Sequence, residues 1–336
     1  MESITHVLTG AVLARAGFNR KSALATATMT LAAVAPDLDM LGAFKGPVFA
    51  FAHHRGFTHS FLGLVLVSAV VVGFIYCVWR FRGRKTNIPH LPPRWGLLFL
   101  FAYIAGASHI LLDFTNSYGV RPFWPFWEKW YSWDIVFIVE PALYLLLLGA
   151  LLAPLLYSRG KPIPHGRQEA IIALIAIVGL YAFRDHEHRK ALASIKSMHF
   201  DLVAPDRVSA YPYFWNVFRW YAVAETSDFF ATSDLDSRTG KLDLRELRFY
   251  HKQPDSPVTV AAKSSYAGRV YLDWAQYPWT SHSNSGDNTL VHFTDLRFDY
   301  PARRGTGTLS CTVELDGNLH VIGQLMAKRR QSPPID

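Results

Sequence analysis

Residues 53–79 read HHRGFTHSFLGLVLVSAVVVGFIYCVW, and the fold turns on the join between their two parts. Residues 61–79 carry no charged side chain and come close to the ~20 apolar residues that an α-helix needs to cross a bilayer. The segment just before them, His53-His54-Arg55-Gly56-Phe57-Thr58-His59-Ser60, holds imidazoles, a guanidinium and hydroxyls. Polar chemistry is thereby placed at a membrane surface. Neutral imidazole is the commonest protein ligand for zinc-like ions, and arginine is the usual partner of a phosphate or carboxylate. Histidines also occur as plain interfacial residues, so the remainder of a site has to come from other segments.

Outward from this join, residues 95–113, 135–157 and 170–183 form further apolar runs, the last of them short. Residues 3–17, with Ser3 as N-cap, and residues 22–35 have helical spacing over about 22 Å each, less than a full span. The pattern predicts a multi-pass α-helical membrane domain of six helices over residues 1–184. A soluble α+β domain comes next over residues 185–328, and a disordered tail over 329–336. In the second domain, strands are expected at 215–223, 229–232, 289–299, 307–315 and 319–326. A helix is expected over 258–276 after the capping pair Ser256-Pro257, and Asp316-Gly317 marks a hairpin.

The formal net charge is +8, but the excess sits in short loops. One set lies around Arg15, Arg20 and Lys21, around Arg80, Arg82, Arg84, Lys85 and Arg94, and around Arg159, Lys161 and Arg167. Alternate loops carry only Lys45 with Arg55, and Arg121 with Lys129. The positive-inside rule places the first set in the cytoplasm, so topology accounts for the charge and no nucleic-acid partner is expected. Membrane lipids are the expected partners, with residues 122–133 (PFWPFWEKWYSW) as an interfacial aromatic belt. Cys77 and Cys311 form neither a CxxC site nor an evident disulfide pair.

This orientation puts His6, Asp37, Asp39, His54, His59, His109, Asp113 and Asp134 on one side of the membrane, whereas incidental polar residues would scatter between both. His109 and Asp113 stand four apart on one helix face, a spacing suited to a metal and equally to a structural His–Asp pair. Asp37 and Asp39, just past Pro36, offer carboxylates for a metal or for general-base work, or else belong to a solvated loop. Glu140, among Ile138, Val139 and Leu143, is either a ligand, an acid–base residue or a hydrogen-bonded neutral glutamate. Arg55 could clamp an anion with help from Thr58 or Ser60, and the three could equally orient the carboxylates. Residues 185–188 (DHEH) read as a hydrated helix end, and His251, His282, His292 and His320 as surface or packing residues.

Together, Thr5-His6, Pro36-Asp37-Leu38-Asp39, His54 to Ser60, and Ser108-His109-Ile110-Leu111-Leu112-Asp113 with Thr115 and Gly119 resemble the YdjM family of bacterial membrane-bound metal-dependent hydrolases. The resemblance covers about residues 1–150 and extends distantly to zinc-dependent phospholipase C and related nucleases. It implies a divalent metal, zinc before manganese or magnesium, held by candidates among His6, Asp37, Asp39, His54, His59, His109 and Asp113, and it implies phosphoester hydrolysis. The long soluble extension departs from the family's shortest members, and no complete set of ligands for several metals can be matched. The function expected is hydrolysis of a lipid or lipid-linked phosphoester by metal-activated water, at the periplasmic side of a bacterial inner membrane. Amide or ester hydrolysis at the same metal, or a non-catalytic scaffold with a structural ion, are the alternatives.

Overall fold

Helix α4 (Gly63–Phe81) forms where residues 61–79 predict it, and its start is fixed by a small number of atoms. The Ser60 hydroxyl donates to the Phe57 carbonyl at 2.8 Å and accepts from the Gly63 amide at 2.9 Å. A Cβ at position 63 would run into that same carbonyl, so only glycine fits there. The computed structural model describes residues 1–85, 91–157, 166–305 and 309–331. The predicted basic loop at Arg159 and Lys161 lies outside the described residues, as do the start of the strand expected at 307 and the last five residues.

The other helices agree with the sequence reading apart from informative differences. Helix α1 (Ser3–Ala16) is capped by Glu2 rather than Ser3: the Glu2 carboxylate accepts from the Ile4 and Thr5 amides at 2.7 and 2.8 Å. Helix α2 (Ala25–Ala32) is shorter than the expected 22–35. Leu24, with φ of 67°, turns the chain before it, and Pro36, which lacks an N–H, helps convert the next stretch into 3₁₀ turns over Ala35–Lys45. Helix α3 (Pro47–His53) has no counterpart in the sequence pattern. Helix α5 (Trp95–Phe114) matches closely. Helix α6 (Pro141–Tyr157) starts later than residue 135, because the amides of Ile135 and Val136 donate to the Thr115 carbonyl. Helix α7 (Arg167–Lys196) continues through residues 185–188, which are therefore mid-helix and not a hydrated helix end. Among the described residues α4 and α5 are long and apolar enough to cross a membrane, and α6 is a shorter apolar helix.

Contacts within the chain define two compact units, Met1–Asp39 with Arg55–His186, and Met40–His54 with Glu187–Asp336. The first is helical, and its core is rich in small residues. Ala14, Ala25, Met29, Ala32, Ala33, Ala102 and Ala105 pack together with Leu98 and Phe101. Small side chains let backbones approach, which is how helices associate where the surroundings are as apolar as the helices themselves. The closest case is Gly10 of α1: a Cβ there would lie 2.5 Å from the Met29 carbonyl oxygen and 2.7 Å from the Ala33 Cβ. A second cluster joins Val12 and Leu112 to Ile135, Val136, Leu143, Leu147, Ala170 and Ala173.

The second unit is built on antiparallel sheets. One orders β1 (Arg207–Pro212), β2 (Arg219–Glu225), β3 (Phe229–Asp236) and β4 (Lys241–Leu242), with β5 (Arg248–His251) also on β3. The other orders β10 (Arg329–Arg330), β9 (Val321–Met326), β8 (Ser310–Leu315), β7 (Asn288–Asp295) and β6 (Pro278–Ser285). Val291, Phe293, Cys311, Val313 and Leu315 alternate inward on β7 and β8, the period-2 burial of a one-faced sheet. The strand expected from 215 starts at Arg219, because Trp215 has φ of 70° and the Asn216 side chain accepts from the Phe218 amide. The helix expected over 258–276 is two, α8 (Pro257–Ser264) and α9 (Tyr266–Trp274). Ser265 is extended between them and its hydroxyl caps the Gly268 amide. Asp316 does turn the chain from β8 to β9, through its carboxylate accepting from the Asn318 and His320 amides. The expected disordered tail is ordered at its start: Arg329 and Arg330 pair with Met326 and Leu325, and buried Gln331 bonds the Val48 amide and the Lys45 carbonyl.

Candidate metal centre

Among the described residues, two groups of side chains in the helical unit could hold a metal ion: His6 with His109 and Asp113, and Asp37 with His59 and His109. They arrive from separate places in the chain. His6 lies in the first turns of α1, Asp37 in the 3₁₀ segment after α2, and His59 in the 3₁₀ turn Phe57–His59 ahead of α4. His109 and Asp113 lie one turn apart on α5. His6, His59, His109 and Asp113 are fully buried, and only Asp37 keeps some contact with solvent.

Hydrogen bonds fix the tautomers of both central imidazoles. His109 Nδ1 lies 2.7 Å from the Ala33 carbonyl oxygen, which can only accept, so Nδ1 carries the proton. His59 Nδ1 faces Asp39 Oδ2 at 3.1 Å, which calls for a proton in the same way. Both Nε2 atoms then present lone pairs, and they stand 3.0 Å apart. Two lone pairs at that distance repel unless a proton or a cation lies between them. Burial disfavours a charged His59, yet its bonds to Asp37 and Asp39 outweigh this and raise its pKa above the ordinary value. The same contacts work in reverse on Asp37: burial would raise its pKa, but His59, His109 and the Ser3 hydroxyl hold it well below the usual carboxylate range.

The separations from each imidazole to its carboxylate neighbours are those of adjacent ligands on one ion. His59 Nε2 lies 3.6 Å from Asp37 Oδ1 and 3.5 Å from Asp113 Oδ2, and His109 Nε2 lies 3.5 and 3.3 Å from the same two atoms. Zinc bonds of about 2.0–2.1 Å to N and O imply tetrahedral edges of about 3.3–3.4 Å. Among the described residues, buried Asp113 Oδ2 has no hydrogen-bond partner, and neither ring nitrogen of His6 has one. His6 stacks on His109 with ring centroids 3.6 Å apart, and its Nε2 is 3.5 Å from Asp113 Oδ1. Buried donor atoms left without partners beside one another in this way suit the coordination shell of a metal.

A second layer holds the first. Asp39 accepts from the Arg55 amide at 2.9 Å and from the Thr58 hydroxyl at 3.2 Å while it faces His59. Arg55, at φ of 56°, turns its buried guanidinium onto Asp113 Oδ1 at 2.9 Å and the Gly119 carbonyl at 2.9 Å, over the Tyr118 ring. The α-amine of Met1 also pairs with Asp113 Oδ1. The Ser3 hydroxyl donates to Asp37 Oδ2 at 2.7 Å.

Of the residues singled out in the sequence, five converge: His6, Asp37, His59, His109 and Asp113. Asp39 belongs to neither group and supports His59 instead. His54 is outside both as well: it ends α3, ahead of the reversal at Arg55. Glu140 is buried, but it faces Arg184 Nη2 at 2.6 Å and joins neither group. Ser60 is spent on the start of α4, and Thr58 on Asp39 and His59. The residues 185–188 are divided among local partners, with Asp185 accepting from the Trp133 indole and Glu187 from Ser237 and Lys190. Sequence reasoning missed Ser3, whose helix-start position suggests a cap, and the Ala33 carbonyl, for which no sequence signal exists.

The family described as YdjM inner membrane protein matches residues 1–189. A protein of Bacillus subtilis (strain 168) described as uncharacterized protein YfhP is 24% identical over 311 residues, which covers 89% of this chain and 87% of the relative. No solved structure matches the chain.

Proposed function

Because the chain belongs to the YdjM inner membrane protein family, we propose that it is a multi-pass inner-membrane hydrolase working through a divalent metal, zinc first, on a phosphoester of a lipid or lipid-linked substrate. The observation that carries this is the buried pair of imidazole lone pairs facing each other between Asp37 and Asp113. A divalent ion supplies Lewis acidity toward a phosphoryl oxygen and acidifies water. The chain's own residues do the rest. Asp39 and the Ala33 carbonyl orient the two imidazoles, Arg55 fixes Asp113, and Asp37 meets solvent and so meets substrate. Apolar helices beside such a site suit a substrate whose head group is polar and whose tails stay in lipid. The basic loops argue that the site and the sheet unit face the periplasm.

The test is metal content and hydrolysis measured together on detergent-purified protein. Bound zinc with metal-dependent cleavage of a phosphoester in mixed micelles supports the proposal, and full activity in stripped protein sinks it. A non-catalytic role with a structural ion is the second reading, favoured by one observation: His59, His109 and Asp113 are wholly shut off from solvent, and structural zinc sites are closed to water.

A further inference from the structure

The two candidate groups share His109, and this limits how many ions they can hold. His109 has one nitrogen to give, since Nδ1 is committed to the Ala33 carbonyl. Asp113 likewise offers only Oδ2, because Oδ1 is taken by Arg55 and the Met1 amine. His109 cannot bridge two ions without breaking that buried bond, and both groups need it. His6 then adds its orphaned nitrogens to the rim of the same site and not to a second one.

The four central donors are unequally anchored. Asp113 is held by a buried guanidinium, His59 by Asp39 and His109 by a backbone carbonyl, and all three side chains are fully shielded from solvent. Asp37 is 13% exposed, and the hydroxyl on its other oxygen comes from Ser3, itself exposed. Its charge also matters. An anionic phosphoryl oxygen can replace a carboxylate oxygen with no change in the charge facing the ion.

We propose that the centre holds one metal ion, kept permanently by His59, His109 and Asp113, and that Asp37 is the displaceable ligand that gives way to an anionic phosphoryl group. This rests on the metal-dependent reading above, and it explains how three fixed, buried donors leave a position for substrate at the one donor that meets solvent.

The experiment uses the full chain in detergent, with elemental analysis of zinc and the visible spectrum of the cobalt(II)-substituted protein, with and without inorganic phosphate. Wild type and Asp37→Ala should each carry one ion per chain, whereas Asp113→Ala and His59→Gln, both confirmed folded by circular dichroism, should lose it. Phosphate should shift the cobalt bands of wild type, and it should do so at about tenfold lower concentration in Asp37→Ala, within the range by which ligand-sphere changes alter metal sites. Two ions per chain, loss of metal in Asp37→Ala to the same extent as in the other variants, or cobalt bands indifferent to phosphate would each overturn the proposal. The two levels separate cleanly. Folded wild type that takes up no metal refutes the metal-dependent reading itself, whereas a bound ion with an inert Asp37 refutes only the displaceable ligand and leaves a structural ion.

Discussion

Arg55 and Asp113 form a buried ion pair, with Nη2 2.9 Å from Oδ1, and the arginine reaches that position from a left-handed backbone conformation. The pair decides which carboxylate oxygen is left for the centre. Arg55→Met should destabilise the metal-free protein by up to about 3–5 kcal/mol, because the buried Asp113 carboxylate then loses its guanidinium and keeps only the Met1 amine on Oδ1. Chemical unfolding in detergent measures this, and the double variant with Asp113→Leu should recover much of the loss. An Arg55→Met protein as stable as wild type would mean that the pairing contributes nothing.

Asp39 backs the His59 imidazole from outside both candidate groups. Asp39→Asn keeps the shape and weakens the hold on the imidazole, so zinc affinity should fall by about 10–100-fold with the fold intact. Competition with a chromophoric chelator reads the affinity directly. Loss of folding would mark Asp39 as a structural residue, and unchanged affinity would mean that His59 needs no orienting partner.

Glu140 and Arg184 make another deeply buried pair of the helical unit, and two of the arginine's nitrogens have no partner among the described residues. Glu140→Ala should cost about 3–5 kcal/mol, whereas Glu140→Leu with Arg184→Leu should cost much less, since no charge is then stranded. Metal content should stay at the wild-type level in both. Metal loss in a folded double variant would make Glu140 a candidate ligand again.

Cys311 points into the core of the second sheet, and burial pushes its thiol up to about 12. At pH 8 only about one part in ten thousand is thiolate, the reactive form. In a Cys77→Ser background the folded protein should therefore resist a maleimide for hours at pH 8 and react within minutes in denaturant. Because the folded pKa is raised, reactivity should climb with pH up to about 12, provided the fold survives. Prompt labelling of folded protein at pH 8 would show that the sheet opens.

The sequence discloses what depends on local spacing. Apolar runs mark α4 and α5 almost to the residue, and the four-residue step from His109 to Asp113 puts both on one helix face. It does not disclose which polar groups turn toward each other across helices. Asp37 and Asp39 look alike in the chain, yet one faces the centre and the other backs an imidazole, because His59 Nδ1 and Nε2 point opposite ways. Glu140 looks functional because it is an acid in an apolar run, and its true partner is a distant arginine on α7. Residues 40–54 carry no composition signal for leaving the helical unit, and their partners, Tyr271, Trp274 and Gln331, lie far along the chain.

Gly10 never touches the centre, yet the Ala33 that it lets come near carries the carbonyl that holds His109. The geometry of the donors is thus written partly in an omission, a hydrogen where any other residue has carbon. A relative could keep every histidine and aspartate and still lose the site through one added methyl group at this position. Inventories of histidines and aspartates alone would score such a chain as intact, so the helix crossing belongs in any judgement of which relatives keep this arrangement.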